Sequence, residues 1–161
     1  MKRTKNYLLN TFLALLLICS FSGCLSTGVS EQEKIQALEV GSPLIITSFW
    51  TGLPNSVGGV DLHISYDYIS DKEAKYIYFT VTPYNAVNDI VSREIGNKTT
   101  AHCKITGPVK KGRDYGRYSC VWYNNTIEYA KLNMIEIEYM DGTKTSISDP
   151  DIIGSYILKT K

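Results

Sequence analysis

Apolar and polar residues alternate along most of the chain after Pro43, and this period of two constrains the fold more than any other feature of the sequence. In VDLHISYDY, which runs from Val60 to Tyr68, apolar side chains occupy every second position. A strand with one buried face produces this alternation, whereas an amphipathic helix repeats its apolar residues every three or four positions. Similar segments follow as AKYIYFTVTPY, TTAHCKIT, YSCVWY and NMIEIEYM, and KTSIS and IIGSYIL add two shorter strands.

Turn-forming residues separate the predicted strands and indicate how they connect. SDKE, from Ser70 to Glu73, predicts a hairpin between the first two strands, and Asp141-Gly142 predicts a tight turn before KTSIS. No convincing helix of normal length lies between the strands, and no internal repeat is evident. About seven short strands with turns between them predict an all-β fold, an antiparallel β-sandwich.

The first 24 residues have the organisation of a secretory signal. Cations within the first five residues precede an uncharged apolar run, and its stretch from Phe12 to Phe21 is shorter than the roughly 20 residues of a membrane-spanning helix. The run ends in FSGC, which resembles the lipobox of bacterial lipoproteins, with Phe21 in place of the usual Leu. This resemblance implies cleavage before Cys24 and lipid on that cysteine.

The lipoprotein resemblance predicts how the chain is divided and where it is located. Residues 1–23 would be the signal peptide, and residues 24–42 would be the lipidated N-terminus with a short polar tether. The tether has room for one or two helical turns between Glu31 and Leu38. Residues 43–161 would form the β-sandwich domain, held at a bacterial membrane by the lipid on Cys24 and facing the extracytoplasmic side of the cell envelope.

The charge balance argues against nucleic acid as a partner. The chain has 17 Lys and Arg residues against 16 Asp and Glu residues, which gives a net charge of +1. Because the predicted signal peptide removes three of the cations, the mature chain would carry a net charge of −2. Proteins that bind nucleic acid concentrate positive charge on one face, so no nucleic-acid partner is expected.

Several segments in the middle of the chain resemble one group of domains. YIYFTVTPYNAVND, TGP, VWYNNTI and IEIEYMDGT, between about Asn55 and Ser148, resemble uncharacterised bacterial extracytoplasmic β-sandwich domains. Asn88 stands where that group carries Gly, which would alter the turn before Asp89. The layout is also similar to immunoglobulin-like modules of cell-surface lipoproteins. The resemblance implies a single immunoglobulin-like antiparallel β-sandwich, and it brings no activity with it.

Two of the four cysteines remain for disulfide chemistry if the lipoprotein interpretation holds. Cys19 would leave with the signal peptide and Cys24 would be capped by lipid, so Cys103 and Cys120 are the disulfide candidates. Both share the parity of apolar neighbours in predicted strands, and an exported compartment permits a disulfide. Closing this loop would stabilise the fold by about 3 kcal/mol in the chain-entropy model. The alternative is two buried reduced thiols.

The sequence has no recognisable catalytic or metal-binding motif. His63 and His102 both fall on the polar side of predicted strands, which predicts exposed histidines. Neither belongs to an HExxH segment, and no nucleophile elbow of the GxSxG type is present. A zinc site built from the histidines, Cys103 and Cys120 would lack the close spacing of CxxC or HxxxH pairs. No catalytic residue, metal site or cofactor is therefore expected.

Two groups of exposed residues are candidate interaction surfaces. The first is the basic segment KKGRDYGRY together with the tyrosine that follows it closely. Its members are Lys110, Lys111, Arg113, Tyr115 and Tyr123. It would contact a polyanion, anionic lipid or cell-wall polymer, and the alternative is a solvated connection between strands. The second group is the outward pair Tyr76 and Tyr78. Trp122 is expected to anchor the core instead.

These observations predict a non-catalytic binding or interaction module on a lipid anchor, with a protein or a cell-wall polymer as its partner. Two alternatives stay open. The protein could be an accessory or inhibitor of an envelope enzyme that acts through a loop such as 110–118, or a hydrolase with a dispersed site. A concave polar pocket that holds His63 or His102 beside a carboxylate would favour the hydrolase, and a flat surface with exposed tyrosines would favour the binding module.

Overall fold

Eight strands and one short helix make up the described part of the chain. The computed structural model describes residues 31–39, 41–92, 96–148 and 157–159, without the side chains of residues 31, 113–115, 117, 119–120 and 157–159. The elements are α1 (Glu31–Glu39), β1 (Leu44–Thr51), β2 (Gly59–Tyr68), β3 (Ala74–Tyr84), β4 (Ala101–Val109), β5 (Gly112–Tyr123), β6 (Tyr129–Tyr139), β7 (Lys144–Ile147) and β8 (Ile157–Lys159). The predicted signal peptide, Cys24 and the start of the tether lie outside these residues.

The strands form two antiparallel sheets whose inner faces share one hydrophobic core. One sheet has the order β1-β2-β5, and the other has the order β4-β3-β6-β7, with β8 also paired to β6. In immunoglobulin nomenclature these are strands A, B and E in one sheet and C′, C, F and G in the other. The prediction of an all-β, immunoglobulin-like antiparallel sandwich is confirmed.

The connection between β2 and β3 differs from the prediction. β2 pairs with β1 and β5, whereas β3 pairs with β4 and β6, so the SDKE turn carries the chain from one sheet to the other and does not close a hairpin. Strands in facing sheets each bury one face, as hairpin partners do, so the alternation of side chains does not distinguish the two arrangements. The predicted turn at Asp141-Gly142 does close a hairpin, between β6 and β7.

The apolar positions of the alternating segments fill the core. The predicted inward residues of β2 are at most 1 % exposed: Val60, Leu62, Ile64, Tyr66 and Tyr68. Tyr66 meets Phe79 of the opposite sheet, with 6.0 Å between the ring centroids. Trp122 is fully buried, as predicted for a core anchor. Each large apolar side chain buried in this way stabilises the fold by about 1.5–3 kcal/mol relative to an exposed one.

Strand β1 was not identified from the sequence, and the start of β5 was predicted incorrectly. β1 breaks the alternation because a bulge between Ile46 and Ser48 shifts its register against β2. β5 begins at Gly112, so most of the segment predicted to be a basic loop is strand. The connection between β4 and β5 consists of Lys110 and Lys111 alone.

Helix α1 lies within the predicted tether and ends in a glycine cap. Gly41 has a φ of +78°, and its N–H donates to the carbonyl of Leu38 at 3.0 Å. The N–H of Ser42 donates to the carbonyl of Ala37 at 2.8 Å. These two bonds form a Schellman motif, which satisfies carbonyls at the helix end. Pro43 and β1 follow directly, so α1 leads into the start of the first strand.

The two cysteines of the predicted disulfide lie on strands of different sheets. Cys103 is buried on β4, opposite Phe79 of β3. Cys120 lies on β5 at a bulge, between the positions paired with Val60 and Leu62 of β2. The side chain of Cys120 is outside the described part of the structure, so the disulfide stays a prediction.

Candidate functional site

The two ends of the sandwich are built differently, and both are defined by the connections between strands. One end, called the ion-paired end, carries the turns 69–73, 110–111 and 140–143 and is where α1 leads into β1. The other, called the apolar end, carries the loops 52–58, 85–100 and 124–128. Strand β2 runs from the apolar end to the ion-paired end. Its last residue, Tyr68, is paired with Leu44, the first residue of the antiparallel strand β1.

An asparagine closes the first loop of the apolar end. The Asn55 side-chain oxygen accepts hydrogen bonds from the N–H groups of Val57 at 3.0 Å and Gly59 at 2.8 Å. The Asn55 N–H donates to the Gly59 carbonyl, and the Gly58 N–H donates to the Asn55 carbonyl, both at 2.9 Å. Four hydrogen bonds within five residues define a closed turn with little freedom at its tip.

The second loop repeats this arrangement on the other sheet. Asn85 accepts from the N–H groups of Val87 at 3.1 Å and Asp89 at 2.8 Å through its side-chain oxygen. Its N–H donates to the Asp89 carbonyl at 3.0 Å, and the Asn88 N–H donates to the Asn85 carbonyl at 3.1 Å. The four bonds join the same positions as in the first loop. NSVGG and NAVND are therefore two copies of one turn, a local repeat that the sequence analysis did not identify.

The fourth residue of each copy adopts a left-handed backbone conformation. Gly58 has a φ of +77° and Asn88 a φ of +68°. Asparagine is one of the few residues other than glycine that enters this region readily, so Asn88 preserves the turn that a glycine was expected to make. The Asn88 side chain also accepts a hydrogen bond from the Tyr129 hydroxyl at 2.8 Å, which ties the loop to β6.

The third residue of each copy is an exposed valine. Val57 and Val87 are each 71 % exposed. The same end also exposes Leu53, Ile90 and Tyr123, so it holds five of the eight large exposed hydrophobic residues among those that the structure describes. Apolar side chains scattered singly over a surface are ordinary, whereas a concentration of them marks an interaction site.

The loops of the apolar end also contact one another. The Asn124 side-chain amide of the third loop donates to the carbonyl of Ser92 in the second loop at 3.3 Å. The Asn124 oxygen accepts from the N–H of Thr126 at 3.0 Å, which closes the third loop as well. A Cβ on Gly58 of the first loop would lie 4.0 Å from the backbone nitrogen of Asn124. The third loop therefore lies next to both of the other loops.

Ion pairs connect the turns at the opposite end. Lys110 pairs with Glu73 at 3.3 Å and Lys111 with Asp71 at 3.0 Å, which neutralises both cations of the predicted basic surface that lie there. Lys72 pairs with Asp141 at 3.0 Å. Hydrogen bonds from the side chain and backbone of Thr143, together with Lys72, lower the pKa of Asp141 to about 2.

The structure does not bring the predicted basic surface together. Lys110 and Lys111 lie at the ion-paired end, and Tyr123 lies at the apolar end, 41 % exposed. The 12 residues of β5 separate them by roughly 40 Å at about 3.3 Å per residue. Arg113 and Tyr115 lie on β5 in register with Asp67 and Ser65, and their side chains are outside the described part of the structure. These five residues therefore do not share one surface.

One histidine also differs from its prediction. His63 is 8 % exposed, because its ring stacks on Trp50 of β1 with 3.7 Å between ring centroids and 3° between the planes. The exposed His102 does follow its prediction, and its Nδ1 lies 3.1 Å from the Thr80 hydroxyl oxygen. Within the described residues, no three His, Cys, Asp or Glu side chains are arranged to hold a metal ion. No helix described here has the length and hydropathy needed to cross a membrane.

Comparisons with known proteins give one weak similarity. No family model matches the chain, and no curated protein matches it. Among solved structures, the chain is similar to Cwp6 from Clostridium difficile, with a TM-score of 0.46 and 12 % sequence identity. The alignment covers 74 % of this chain and 17 % of that one. At this TM-score the similarity supports neither a fold assignment nor a function.

Proposed function

We propose that this protein is a lipid-anchored, non-catalytic module of the bacterial cell envelope that binds a partner protein through its apolar end. The observation that carries the proposal is the pair of closed asparagine turns. Each holds a valine, 71 % exposed, at its tip. The lipobox-like FSGC segment before the domain supports the anchored location.

The rigidity of the turns indicates that the exposed valines serve binding. Each valine follows an asparagine that fixes the turn by four hydrogen bonds. A partner that packs on these tips would therefore order few additional residues, which reduces the entropic cost of association. Loops held on a rigid sandwich are also the usual location of binding residues in immunoglobulin-like domains.

The chemistry of the apolar end favours a protein as the partner. Val57, Val87, Leu53 and Ile90 offer aliphatic surface, which packs against the apolar core of a protein interface. Polymers of sugars are recognised through aromatic rings and hydrogen-bonding groups, and Tyr123 is the only aromatic residue among the five exposed side chains. The anchoring membrane is a less suitable partner, because α1 leads into the sandwich at the opposite end.

The positions of the histidines support a non-catalytic role. His63 is buried against Trp50, and His102 contacts the Thr80 hydroxyl on the outer face of the sheet. Neither lines the cavity on the five-stranded sheet that is described below.

The docking proposal is tested by photo-crosslinking in living cells. A photoreactive amino acid replaces Val57 or Val87 in one pair of variants, and Lys72 or Thr143 at the ion-paired end in a control pair. We expect both valine positions to crosslink to the same protein and the control positions to give no such adduct. The Val57→Ser/Val87→Ser double variant should then weaken binding of that purified protein at least tenfold.

Three results would contradict the docking proposal. Adducts to lipid at the valine positions would indicate that the apolar end inserts into a membrane. Equal crosslinking from both ends would remove any special role for the turns. Unchanged affinity of the double variant, with an unchanged melting temperature, would show that the valines do not carry the interaction.

Anchoring is tested separately from docking. Replacing Cys24 by Ser should leave the chain uncleaved and without lipid, which intact-mass measurement of the purified protein detects. Wild-type protein should partition into a detergent phase with a mass increase on its N-terminal residue. A wild-type chain that retains residues 1–23 and no lipid would refute the anchor and leave the docking proposal unaffected.

A further inference from the structure

A cavity of about 340 Å³ lies on the outer face of the five-stranded sheet, close to the turn 140–143 of the ion-paired end. Its lining combines one aromatic ring with charged and hydroxyl groups: Tyr78 of β3, Glu136, Ile137 and Glu138 of β6, and Lys144, Thr145 and Ser146 of β7. Its volume falls in the range of about 300–1,000 Å³ that is typical of small-molecule sites. The outward position of Tyr78 was predicted from the alternation in β3, and the cavity beside it was not.

Strand register brings the polar groups of the cavity together. Tyr78 is paired with Glu136, and Glu136 is paired with Ser146, so these three residues form one row across three strands. Lys144 lies in the next row, paired with Glu138. Neighbouring strands are about 4.8 Å apart, so the row from Tyr78 to Ser146 spans about 10 Å. A ligand of one or two rings could contact all three residues.

The two carboxylates of the cavity have different surroundings. Glu138 is paired with Lys75 at 2.9 Å and with Lys144 at 3.4 Å. The hydrogen bond from Lys75 is the main cause that lowers the pKa of Glu138. Glu136 forms no ion pair or hydrogen bond with the residues that the structure describes. Glu138 is therefore committed to the protein, and Glu136 is the carboxylate that is available to a ligand.

The charges around the cavity favour a neutral ligand. Glu136 would repel an anion, and Lys144 together with Lys75 and Lys104 would repel a cation. Lys104 lies 5.6 Å from the centroid of the Tyr78 ring and 3.5 Å from that of Tyr76. Lys104 therefore lies closer to the Tyr76 ring than to the Tyr78 ring that lines the cavity. Because Lys75 and Lys144 are both paired with Glu138, the charges beside Tyr78 are nearly balanced and strongly select neither an anion nor a cation.

We infer that this cavity binds a neutral sugar residue of a polysaccharide. The Tyr78 ring would pack on the C–H face of the sugar, and the Glu136 carboxylate would accept hydrogen bonds from adjacent sugar hydroxyls. Ser146 and Lys144 would contact oxygens on the opposite side of the ring. This site is independent of the proposed protein docking at the apolar end and uses none of its residues.

The sugar site is tested with four monosaccharide probes that have the same pyranose ring, two of them neutral, one cationic and one anionic. The full chain in detergent is titrated with glucose and N-acetylglucosamine as neutral probes, with glucosamine as the cation and with glucuronate as the anion. Saturation-transfer NMR reports which protons of the sugar ring contact the protein, and the titration gives the Kd of each probe. At least one neutral probe should bind with a Kd at least threefold lower than both charged probes.

Substitutions then locate the site. Glu136→Gln should raise the Kd of the neutral probe about tenfold, because it removes a charge-assisted hydrogen bond while preserving shape. Tyr78→Leu keeps an apolar side chain on the strand and should abolish the saturation transfer to the sugar ring. Glu128→Gln, which replaces an exposed carboxylate at the apolar end, is the matched control and should leave the Kd of the neutral probe unchanged.

Each of the other outcomes would overturn the sugar site. Tighter binding of glucosamine than of the neutral probes would assign the cavity to a cation. Equal effects of Glu136→Gln and Glu128→Gln would place the sugar elsewhere. An absence of saturable binding by either neutral probe at millimolar concentration would refute the inference, with the proposed docking at the apolar end still standing.

Discussion

The two ends of the sandwich use the same kind of turn for opposite purposes. Asn124 at the apolar end accepts hydrogen bonds from the N–H and hydroxyl of Thr126. Asp141 at the ion-paired end accepts the same two bonds from Thr143. The geometry is shared, and the difference is one negative charge, which at Asp141 also attracts Lys72 at 3.0 Å.

This difference shows how each end satisfies its exposed groups. The charged turns of the ion-paired end find partners within the same molecule, in the pairs Lys72–Asp141, Lys110–Glu73 and Lys111–Asp71. The asparagine turns of the apolar end bond to their own backbone and to neighbouring residues, and their valine tips remain exposed. An end that is satisfied internally has little to offer a partner, whereas exposed aliphatic tips on rigid turns gain free energy when a second surface covers them.

The largest effect on stability should come from removing both turn-closing asparagines. In the Asn55→Ala/Asn85→Ala variant four side-chain hydrogen bonds are lost. Water can replace some of them at these partly exposed positions, so we expect the free energy of unfolding to fall by about 2 kcal/mol. Urea denaturation of the variant and the wild type measures the change.

A neighbouring asparagine provides the control for this double variant. Asn125 is exposed at the same end, and no side-chain hydrogen bond of Asn125 is found among the described residues. Asn125→Ala should change the free energy of unfolding by less than about 0.5 kcal/mol. If the double variant were no less stable than Asn125→Ala, the two loops would not be rigid turns and their contrast with the ion-paired end would lose its basis.

The next effect tests whether the two loops are equivalent. Gly58→Ala places a Cβ on a backbone with a φ of +77°, where the open surroundings offer no clash but the conformation itself costs about 1 kcal/mol. Gly58→Asn should cost less, because Asn88 occupies the equivalent position at a φ of +68°. Thermal denaturation should therefore give a higher melting temperature for Gly58→Asn than for Gly58→Ala. The reverse order would indicate that the loops are only superficially alike.

Much of the fold could be predicted from the sequence, because side-chain alternation reports directly which face of a strand is buried. Val60, Leu62 and Ile64 follow this rule without exception. The pairing of β2 and β3 could not be predicted in this way, since alternation does not specify a partner strand. β1 was missed because the bulge near Ser48 removes the strict period on which the prediction depends.

The candidate surface was harder to predict, because its residues act through backbone geometry and register. NSVGG and NAVND share Asn at the first position and Val at the third, and this similarity is present in the sequence. The equivalence is not evident from the sequence, because one copy has Gly and the other has Asn at the fourth position, and only the structure shows that both adopt a positive φ. His63 was misplaced for a related reason, since only the three-dimensional register stacks Trp50 on its ring.

A smaller effect is expected at the ion-paired end. Lys72→Met removes the ion pair with Asp141. The Lys72 side chain is 58 % exposed and the Asp141 side chain 49 %. Exposed pairs of this kind contribute about 0.2–1 kcal/mol and are weakened further by salt. We expect a loss of about 0.5 kcal/mol or less in low salt, which urea denaturation in 1 M NaCl should abolish. A loss as large as that of the asparagine double variant would mean that the charged end is the more tightly constrained one.

The smallest effect is a pH dependence at the ion-paired end. The pKa of Asp141 is lowered from 3.8 to about 2 in the folded protein. Its carboxylate therefore stabilises the fold above pH 3.8, and this contribution is lost as the pH falls from about 4 through 2, because the unfolded chain binds a proton first. Asp141→Asn should flatten the decline of unfolding free energy over this interval, measured by urea denaturation at pH 5, 4, 3 and 2. Thr143→Val removes one donor, keeps the backbone bond and the Lys72 pair, and should flatten it only partly. An unchanged slope in Asp141→Asn would show that other carboxylates dominate acid unfolding, and the charge that distinguishes the two kinds of turn would then have no energetic consequence.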